Sequence, residues 1–390
     1  MPSRNTPSSH KQTRKPQNSM AITKPLKTAQ PSLSKKVPIA LQQLLLDIFR
    51  NTFARRFDSQ LPALVQQIKQ HLFNRDFKNA FGHQSFLEAY AMRWSPSRAL
   101  AYTEIFRDIL SRYRLEGEAE NLEQGSEGLP FPASHVQSRI ASTKRVVCIG
   151  GGAGAELIAL GASSQAIGHP CANLNDLEDR SQPSPPCLAI HCIDIADWSM
   201  VLKELHSCMT VAPPISEYSS SAAKVANAAL ISPVACTLSF VQEDVLGLKN
   251  EDLATGFTDA VLVTLMFTLN ELYNTSISST TNLLLSLTML LAPGALLLVV
   301  DSPGSYSTMD FGKTASPDFG DKRKSYPMQW LLDHTLLESA AIGTSKNASA
   351  ERQWEKLESK ESEWFRLPQE LRYPVTLEDM RYQLHLYRRL

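Results

Sequence analysis

The feature that most constrains the fold is a series of five apolar runs after residue 143. The runs are RVVCIG (145–150), CLAIHCIDIA (187–196), TLSFVQEDVL (237–246), DAVLVTLMF (259–267) and GALLLVVDS (294–302). Each is apolar at consecutive positions, which is typical of parallel strands covered by helices on both faces. Between the last two runs, TTNLLLSLTMLL predicts a helix that ends at Pro293-Gly294. The alternation predicts a doubly wound α/β sheet.

The end of the chain predicts how that sheet finishes. MRYQLHLYRRL (380–390) alternates in polarity and predicts a final, antiparallel strand. We therefore expect a Rossmann-like domain over residues 143–390, with a mostly parallel seven-stranded sheet. Three stretches, 163–186, 211–230 and 303–350, are too long for ordinary loops and are predicted to be insertions.

The region before this domain, residues 38–142, has the spacing of helices. PIALQQLLLDIFRNTFARRF and LPALVQQIKQHLFNRDF both place apolar residues three or four positions apart. SFLEAYAMRWSPSRALAYTEIFRDILSRY predicts two further helices, broken at Ser95-Pro96, because a residue before proline is disfavoured in the helical conformation. Residues 116–142 are rich in Gly, Glu and Ser and are expected to form a linker.

The first 37 residues differ in composition from the rest. The whole chain has 39 Lys and Arg against 39 Asp and Glu, so no global charge indicates a nucleic-acid binder. However, no acidic residue precedes Asp47, whereas eight Lys and Arg do. This predicts a disordered basic tail that attracts polyanions. A mitochondrial presequence is the alternative, and five prolines before position 32 argue against it.

Cysteine usage and hydropathy indicate what to expect for metal binding, cellular compartment and membrane association. The six cysteines form no CxxC pair and have no histidine at zinc-ligand spacing, so we expect no metal and a reducing compartment. No apolar run is long enough to span a bilayer, so we expect no membrane partner. The expected form is an intracellular monomer.

The first apolar run leads into a glycine turn. Gly150, Gly152 and Gly154 give the spacing G-x-G-x-G between a strand and a helix. Glycines allow a tight turn and close backbone approach to a ligand, and the helix N-terminus offers free N–H groups. Nicotinamide and flavin enzymes use a similar turn, so the turn alone predicts only a nucleoside-bearing ligand.

Two acidic residues at the next strand ends favour one such ligand. Asp194 ends the second run, where a carboxylate can accept hydrogen bonds from both ribose hydroxyls; Asp197 is its rival. Asp244 ends the third run, where it can contact the exocyclic amine of adenine. Nicotinamide-binding folds do not generally need that acid, so Asp244 favours S-adenosylmethionine as the cofactor. For both positions the alternative is a helix-capping carboxylate.

Candidate reacting groups follow the fourth and fifth runs. LMFTLNELY (265–273) carries Asn270 and Glu271, and Asp301 begins DSPGSYS (301–307). Ligands of doubly wound sheets bind beyond these strand ends. LMFTLNELY lacks the Asp/Asn-Pro-Pro-Tyr box that is common in enzymes that methylate exocyclic amines of adenine or cytosine. No cysteine follows Cys236, which argues against carbon-5 methylation of cytosine.

Four of these segments together resemble one known family. RWSPSRALAY (93–102), the turn at 150–154, LMFTLNELY and DSPGSYS are similar to segments of the fungal large-subunit rRNA uridine-N3 methyltransferases, members of the class I superfamily that uses S-adenosylmethionine. The resemblance covers residues 38 to 390 apart from the insertions. The glycine turn is generic to the superfamily, whereas RWSPSRALAY and DSPGSYS are more specific.

The resemblance implies methyl transfer to N3 of a uridine in 25S-type rRNA, in the nucleus or cytoplasm, with ribosomal RNA or a pre-ribosomal particle as partner. N3 carries an imide proton, which Glu271 or Asp301 could take while Asn270 holds the uracil carbonyls. Because N3 lies on the pairing edge, the base must be unpaired or flipped out. RNA contacts are predicted for Arg93, Trp94 and Arg98, with a buried helix junction as the alternative.

Other functions stay open at this point. A methyltransferase of the same fold could act on a protein or small molecule. A ribosome-assembly factor could keep the fold without catalysis. A nicotinamide oxidoreductase is disfavoured by Asp244 and by the antiparallel final strand.

Overall fold

The computed structural model describes residues 37–113, 143–164, 188–221, 224, 227–304, 306–309, 324–339 and 352–390. Every described residue belongs to one unit, which spans residues 36–390. The predicted basic tail up to residue 36, the linker 116–142 and large parts of the insertions 163–186 and 303–350 lie outside the described residues.

A seven-stranded sheet forms the centre of the described chain. Its strands are β1 (Lys144–Ile149), β2 (Leu188–Asp194), β3 (Cys236–Gln242), β4 (Ala260–Met266), β5 (Leu296–Asp301), β8 (Trp354–Phe365) and β9 (Met380–Arg389). The order is β3-β2-β1-β4-β5-β9-β8, and β9 runs antiparallel to both neighbours. The predicted fold class is confirmed, including the antiparallel final strand. A separate hairpin pairs β6 (Tyr306–Met309) with β7 (Lys324–Pro327).

Ten α-helices accompany the strands in the described residues. They are α1 (Ile39–Thr52), α2 (Leu61–Phe73), α3 (Phe77–Ala80), α4 (Gln84–Arg112), α5 (Ala155–Ser163), α6 (Ser199–Met209), α7 (Asn250–Phe257), α8 (Leu269–Thr275), α9 (Ile277–Leu290) and α10 (Met328–Asp333). A 3₁₀ turn (Ala54–Arg56) and a π-helix (His334–Ser339) complete the helical elements.

Alternate residues of each strand enter two different cores, because side chains of a strand point to opposite faces. On one face, Val146 and Cys148 pack with residues of α1, α2, α4, α5 and α6. On the other, Val147 and Ile149 pack with residues of α7 to α10. Helices on both faces explain why the five runs are apolar at consecutive positions.

The predicted helix break at Ser95-Pro96 is wrong, since α4 continues through Pro96 from Gln84 to Arg112. Proline cannot donate the hydrogen bond that the carbonyl of Met92, four residues earlier, would accept in a helix. The hydroxyl of Tyr373 donates to that carbonyl at 3.1 Å instead. A tertiary contact from the β8–β9 loop therefore replaces the missing bond and keeps the helix in one piece.

One further expectation needs correction. The third strand ends at Gln242, so Asp244 lies two residues beyond it. The predicted insertion at 303–350 contains β6, β7 and α10, and its being an insertion stays a prediction. The strand β8 was not predicted; it is an edge strand whose polar residues hide the usual alternation.

Candidate active site

The site lies where the strand order reverses. β1 pairs with β2 on one side and β4 on the other, all three parallel. In open α/β sheets this arrangement leaves a crevice beyond the carboxyl ends of the strands, and ligands bind there. The predicted residues on the turn after β1 and at the ends of β2, β4 and β5 therefore face a common region.

The turn after β1 requires its glycines. Gly150 has φ +76°, and its N–H donates to the carbonyl of Ile193 at 2.8 Å. A Cβ on Gly150 would lie 2.3 Å from Oγ1 of Thr268. Gly154, with φ +80°, precedes the first residue of α5. The turn thus ties β1 to β2 and leaves no room for side chains at its tightest point.

Gly152 and Asp194, two of the predicted cofactor-binding residues, contact each other. The N–H of Gly152 donates to Oδ2 of Asp194 at 3.1 Å, and the N–H of Ala196 donates to Oδ1 at 3.2 Å. Burial raises the pKa of Asp194, and these backbone bonds partly offset the increase. Trp198 packs on the turn, since a Cβ on Gly152 would lie 2.1 Å from its Cδ1. The carboxylate therefore lies directly above the glycine turn.

The neighbours of Asp194 differ in their surroundings. Ile195 is 61% exposed and follows the half-buried Asp194 directly in the chain. Asp197 is exposed and accepts a bond from the N–H of Ser199 at 3.1 Å. Asp244 is exposed, and its Oδ1 accepts from Leu246 N–H at 3.0 Å within its own turn. Sequence reasoning missed Ile195, whose only signal is its place next to Asp194.

A buried carboxyl group that the sequence did not single out lies beneath the turn. Glu156, in the first turn of α5, is 3% exposed, and Oγ1 of Thr264 donates to it at 3.2 Å. Burial raises its pKa to about 8; the bond from Thr264 opposes this, and the charge of Asp194 adds to it. Glu156 is therefore mostly protonated at neutral pH.

Glu156→Gln should change how stability depends on pH. Unfolded, the carboxyl loses its proton near its ordinary pKa of 4.5, whereas the folded protein keeps it up to about pH 8. The stabilising contribution is present below pH 4.5 and is lost as pH rises towards 8. Relative to Glu156→Gln, the wild type should lose up to ~5 kcal/mol of unfolding free energy over this window.

Urea unfolding at pH 5, 6, 7 and 8 measures this difference. Glu251→Gln is the matched control, because Glu251 is exposed on α7. A constant difference between wild type and Glu156→Gln across the four pH values would contradict the prediction.

A second polar cluster forms after β4 and β5. Asp301, at the end of β5, is 3% exposed. Its Oδ2 accepts from the N–H of Asn270 at 3.0 Å and its Oδ1 from the N–H of Ser302 at 2.7 Å. Burial raises the pKa of Asp301 to about 6, although the two backbone hydrogen bonds lower it. The negative charge of the neighbouring Glu271 adds to the increase. Asp301 thereby fixes the backbone at the start of α8.

Glu271 has a freer carboxylate than Asp301. Its side chain is 39% exposed, and its Oε2 lies 3.3 Å from Nη1 of Arg75. Arg75 adopts φ +55°, a conformation that a non-glycine residue rarely takes. Beside it, Oδ1 of Asn270 is buried and has no hydrogen-bond partner among the described residues. Oε2 of Glu271 is buried as well, and Nδ2 of Asn270 donates to its Oε1 at 3.5 Å. The cluster thus combines a partly exposed carboxylate with a buried amide oxygen that has no partner among the described residues.

The residues predicted to contact RNA have partners within the chain. Arg93 is 6% exposed and forms an ion pair with Glu378 of the β8–β9 loop. Trp94 packs against Tyr90 with ring centroids 4.7 Å apart. Nη1 of Arg98 donates to the hydroxyl of Tyr90 at 2.8 Å. RNA contact by Arg93, Trp94 and Arg98 stays a prediction.

The residues present fit S-adenosylmethionine. The carboxylate of Asp194 suits ribose hydroxyls, exposed Ile195 offers an apolar face for adenine, and the glycine turn allows close approach. In the described part of the chain no group of three or more His, Cys, Asp or Glu could hold a metal ion. Within the same residues no helix has the length and hydropathy needed to cross a membrane.

Comparisons with known proteins agree with this chemistry. Residues 49–388 match the model of a family described as "Putative SAM-dependent methyltransferase". The chain is 28% identical over 377 residues to the 25S rRNA (uridine(2843)-N(3))-methyltransferase of Saccharomyces cerevisiae. That alignment covers 93% of this chain and 89% of the yeast protein.

Solved structures similar to this chain include a SAM-dependent methyltransferase of Methanosarcina mazei. The two chains are 11% identical with a TM-score of 0.34, and the match covers 64% of this chain and 93% of the Methanosarcina chain. A variant of the 16S rRNA (adenine(1408)-N(1))-methyltransferase of Catenulisporales acidiphilia is 14% identical, with a TM-score of 0.30, covering 64% of this chain and 85% of that one.

Proposed function

This chain belongs to the S-adenosylmethionine-dependent methyltransferase family whose model spans residues 49–388, and from that membership we propose that it methylates N3 of a uridine in large-subunit ribosomal RNA. The observation that carries the proposal is the similarity to the yeast 25S rRNA uridine-N3 methyltransferase over 93% of the chain. The cluster of Asn270, Glu271 and Asp301 after β4 and β5 supports it, because N3 methylation needs a group that removes a proton.

The cofactor supplies an electrophilic methyl group with its own leaving group, so the protein's task is to hold and orient the reactants. We assign the nucleoside end to the ends of β2 and β3. Asp194 binds the ribose hydroxyls, and Ile195 packs on adenine. Asp244 would reach the adenine amine only by giving up its bond to Leu246 N–H. Gly150, Gly152 and Gly154 allow the backbone to approach.

We assign the general base to Glu271 and a positioning role to Asp301. Asp301 is 3% exposed, and its oxygens hold the N–H groups of Asn270 and Ser302 in place, so its carboxylate is less accessible to a substrate proton than that of Glu271. The side chain of Glu271 is 39% exposed, so a substrate can reach its carboxylate more easily than the buried carboxylate of Asp301. The amide Nδ2 of Asn270 can donate to a uracil carbonyl. Proton removal makes N3 nucleophilic towards the methyl group.

The target uridine must leave its base pair, since N3 lies on the pairing edge. We infer that Trp94 and the helices before β1 lie on the side from which the RNA approaches. Arg93 would have to exchange Glu378 for a phosphate in order to contribute. Ribosomal RNA as substrate makes the nucleus or the cytoplasm the compartment.

The proposal is tested by mass spectrometry of nucleosides from purified large-subunit rRNA. Cells that lack the gene should lose one equivalent of N3-methyluridine, and the wild-type gene should restore it. Glu271→Gln should fail to restore it at equal protein level. Unchanged N3-methyluridine would overturn the RNA substrate. Transfer of labelled methyl groups from S-adenosylmethionine to cell protein instead would indicate a protein substrate.

A further inference from the structure

Arg98 is a cation that forms no ion pair with any residue in the described part of the chain. It lies on α4, partly buried, and its Nη1 is held by the hydroxyl of Tyr90 at 2.8 Å. Its guanidinium carbon lies 5.0 Å from the centroid of the Phe267 ring and 5.8 Å from that of Tyr90. Among the described residues no carboxylate oxygen comes within 4.0 Å of its nitrogens. Most of its five N–H donors are therefore open to a ligand.

Its position over the sheet is fixed by two contacts. One turn earlier on the same helix, Oγ of Ser95 donates to the carbonyl of Ala153 in the glycine turn at 2.7 Å. Phe267, under the guanidinium, is the first residue after β4 and has φ +60°. Arg98 consequently lies above the carboxyl ends of β1 and β4.

Two carboxyl groups at the strand ends lie near enough to Arg98 for its charge to act on them. Burial raises the pKa of both Glu156 and Asp301, and the positive charge of Arg98 partly opposes each increase. Glu156 lies beneath the turn after β1, and Asp301 ends β5. Glu156 is largely protonated, and no oxygen of either carboxyl group lies within 4.0 Å of a guanidinium nitrogen, so neither forms a direct ion pair with Arg98.

The two ends of S-adenosylmethionine differ in chemistry, and this difference indicates which anion the guanidinium of Arg98 could bind. With the ribose at Asp194 on β2 and adenine at Ile195, the other end of the molecule must extend over β1 towards β4. That end carries the only carboxylate of S-adenosylmethionine. A planar carboxylate matches the guanidinium fork and can take two parallel hydrogen bonds.

We propose that Arg98 binds the methionine carboxylate of S-adenosylmethionine and thereby fixes the position of the methyl group, instead of contacting RNA. The proposal rests on the cofactor of the family and not on the RNA substrate, so it can hold even if the substrate is different. Tyr90 is the positioning residue that holds one edge of the guanidinium, leaving the other edge for the ligand.

Isothermal titration with two ligands tests the proposal without any turnover. S-adenosylhomocysteine keeps the carboxylate, whereas 5′-methylthioadenosine keeps the nucleoside and the thioether but lacks the amino acid. Arg98→Gln should weaken S-adenosylhomocysteine binding by about 10- to 150-fold, the value of a hydrogen bond to a charged group. Its affinity for methylthioadenosine should stay within about twofold of the wild type.

Two results would overturn the proposal. Equal weakening of both ligands would make Arg98 a structural residue, and unchanged S-adenosylhomocysteine binding would leave it free to contact RNA. Arg98→Lys keeps the charge but not the fork, so it should give a smaller loss confined to S-adenosylhomocysteine. If Arg98→Gln does not fold, Arg98→Lys and Tyr90→Phe carry the same ligand comparison.

Discussion

Asp194→Ala is expected to weaken binding of S-adenosylhomocysteine by roughly 100- to 1,000-fold while the protein stays folded. A carboxylate that accepts two ribose hydroxyls makes two charge-assisted hydrogen bonds, and alanine removes both. Two effects on folding oppose each other: alanine removes the acceptor for the N–H groups of Gly152 and Ala196, but it also removes a carboxylate whose pKa is raised by burial. Isothermal titration gives the affinity, and thermal unfolding checks the fold.

Asp197→Ala is the matched control for this prediction. Asp197 is three residues away and was the rival for the ribose, but it is exposed and accepts from Ser199 N–H at 3.1 Å. Removing the Asp197 carboxylate should lower the free energy of unfolding by at most about 1 kcal/mol, the contribution of a helix-capping hydrogen bond. The affinity for S-adenosylhomocysteine should stay unchanged. If Asp197→Ala weakens binding as much as Asp194→Ala does, the assignment of Asp194 to the ribose is wrong.

The sheet and the cofactor turn could be predicted from the sequence because local patterns encode them. Five consecutive apolar runs require a covered parallel sheet, and the glycines at 150, 152 and 154 require a tight turn at the first strand end. The terminal alternation from Met380 predicted β9 for the same reason. In each case the determining physics lies within about ten neighbouring residues.

The features that could not be predicted depend on contacts between distant segments. Pro96 interrupts a helix by its own chemistry, and only the hydroxyl of Tyr373, 281 residues from Met92, compensates. In the sequence, Glu156 is an ordinary acidic residue in the first turn of a helix. Its burial arises only from the packing of helices and sheet around it. The pair of Arg75 and Glu271 joins a loop before α3 to the start of α8. Sequence spacing carries no information about such pairs.

The second large effect is expected for Glu271→Gln, which should lower kcat for methyl transfer by about 100- to 10,000-fold. Glutamine keeps the size of the side chain but cannot take the N3 proton. The affinity for S-adenosylhomocysteine should be unchanged, because we assign Glu271 to the substrate and not to the cofactor. Single-turnover transfer of a labelled methyl group to undermethylated large-subunit rRNA measures the rate. Glu251→Gln, an exposed carboxylate on α7, is the control.

Asp301→Asn separates proton transfer from positioning. The ionised Asp301 carboxylate accepts the two backbone N–H groups more strongly than the protonated form does, and burial raises its pKa to about 6. The wild-type rate should therefore rise as pH increases through 6, and Asp301→Asn should remove that rise. Glu271→Gln should keep the rise at its lower rate, because Asp301 is intact. If Asp301→Asn abolishes transfer at every pH while Glu271→Gln retains it, Asp301 is the base and the two roles are reversed.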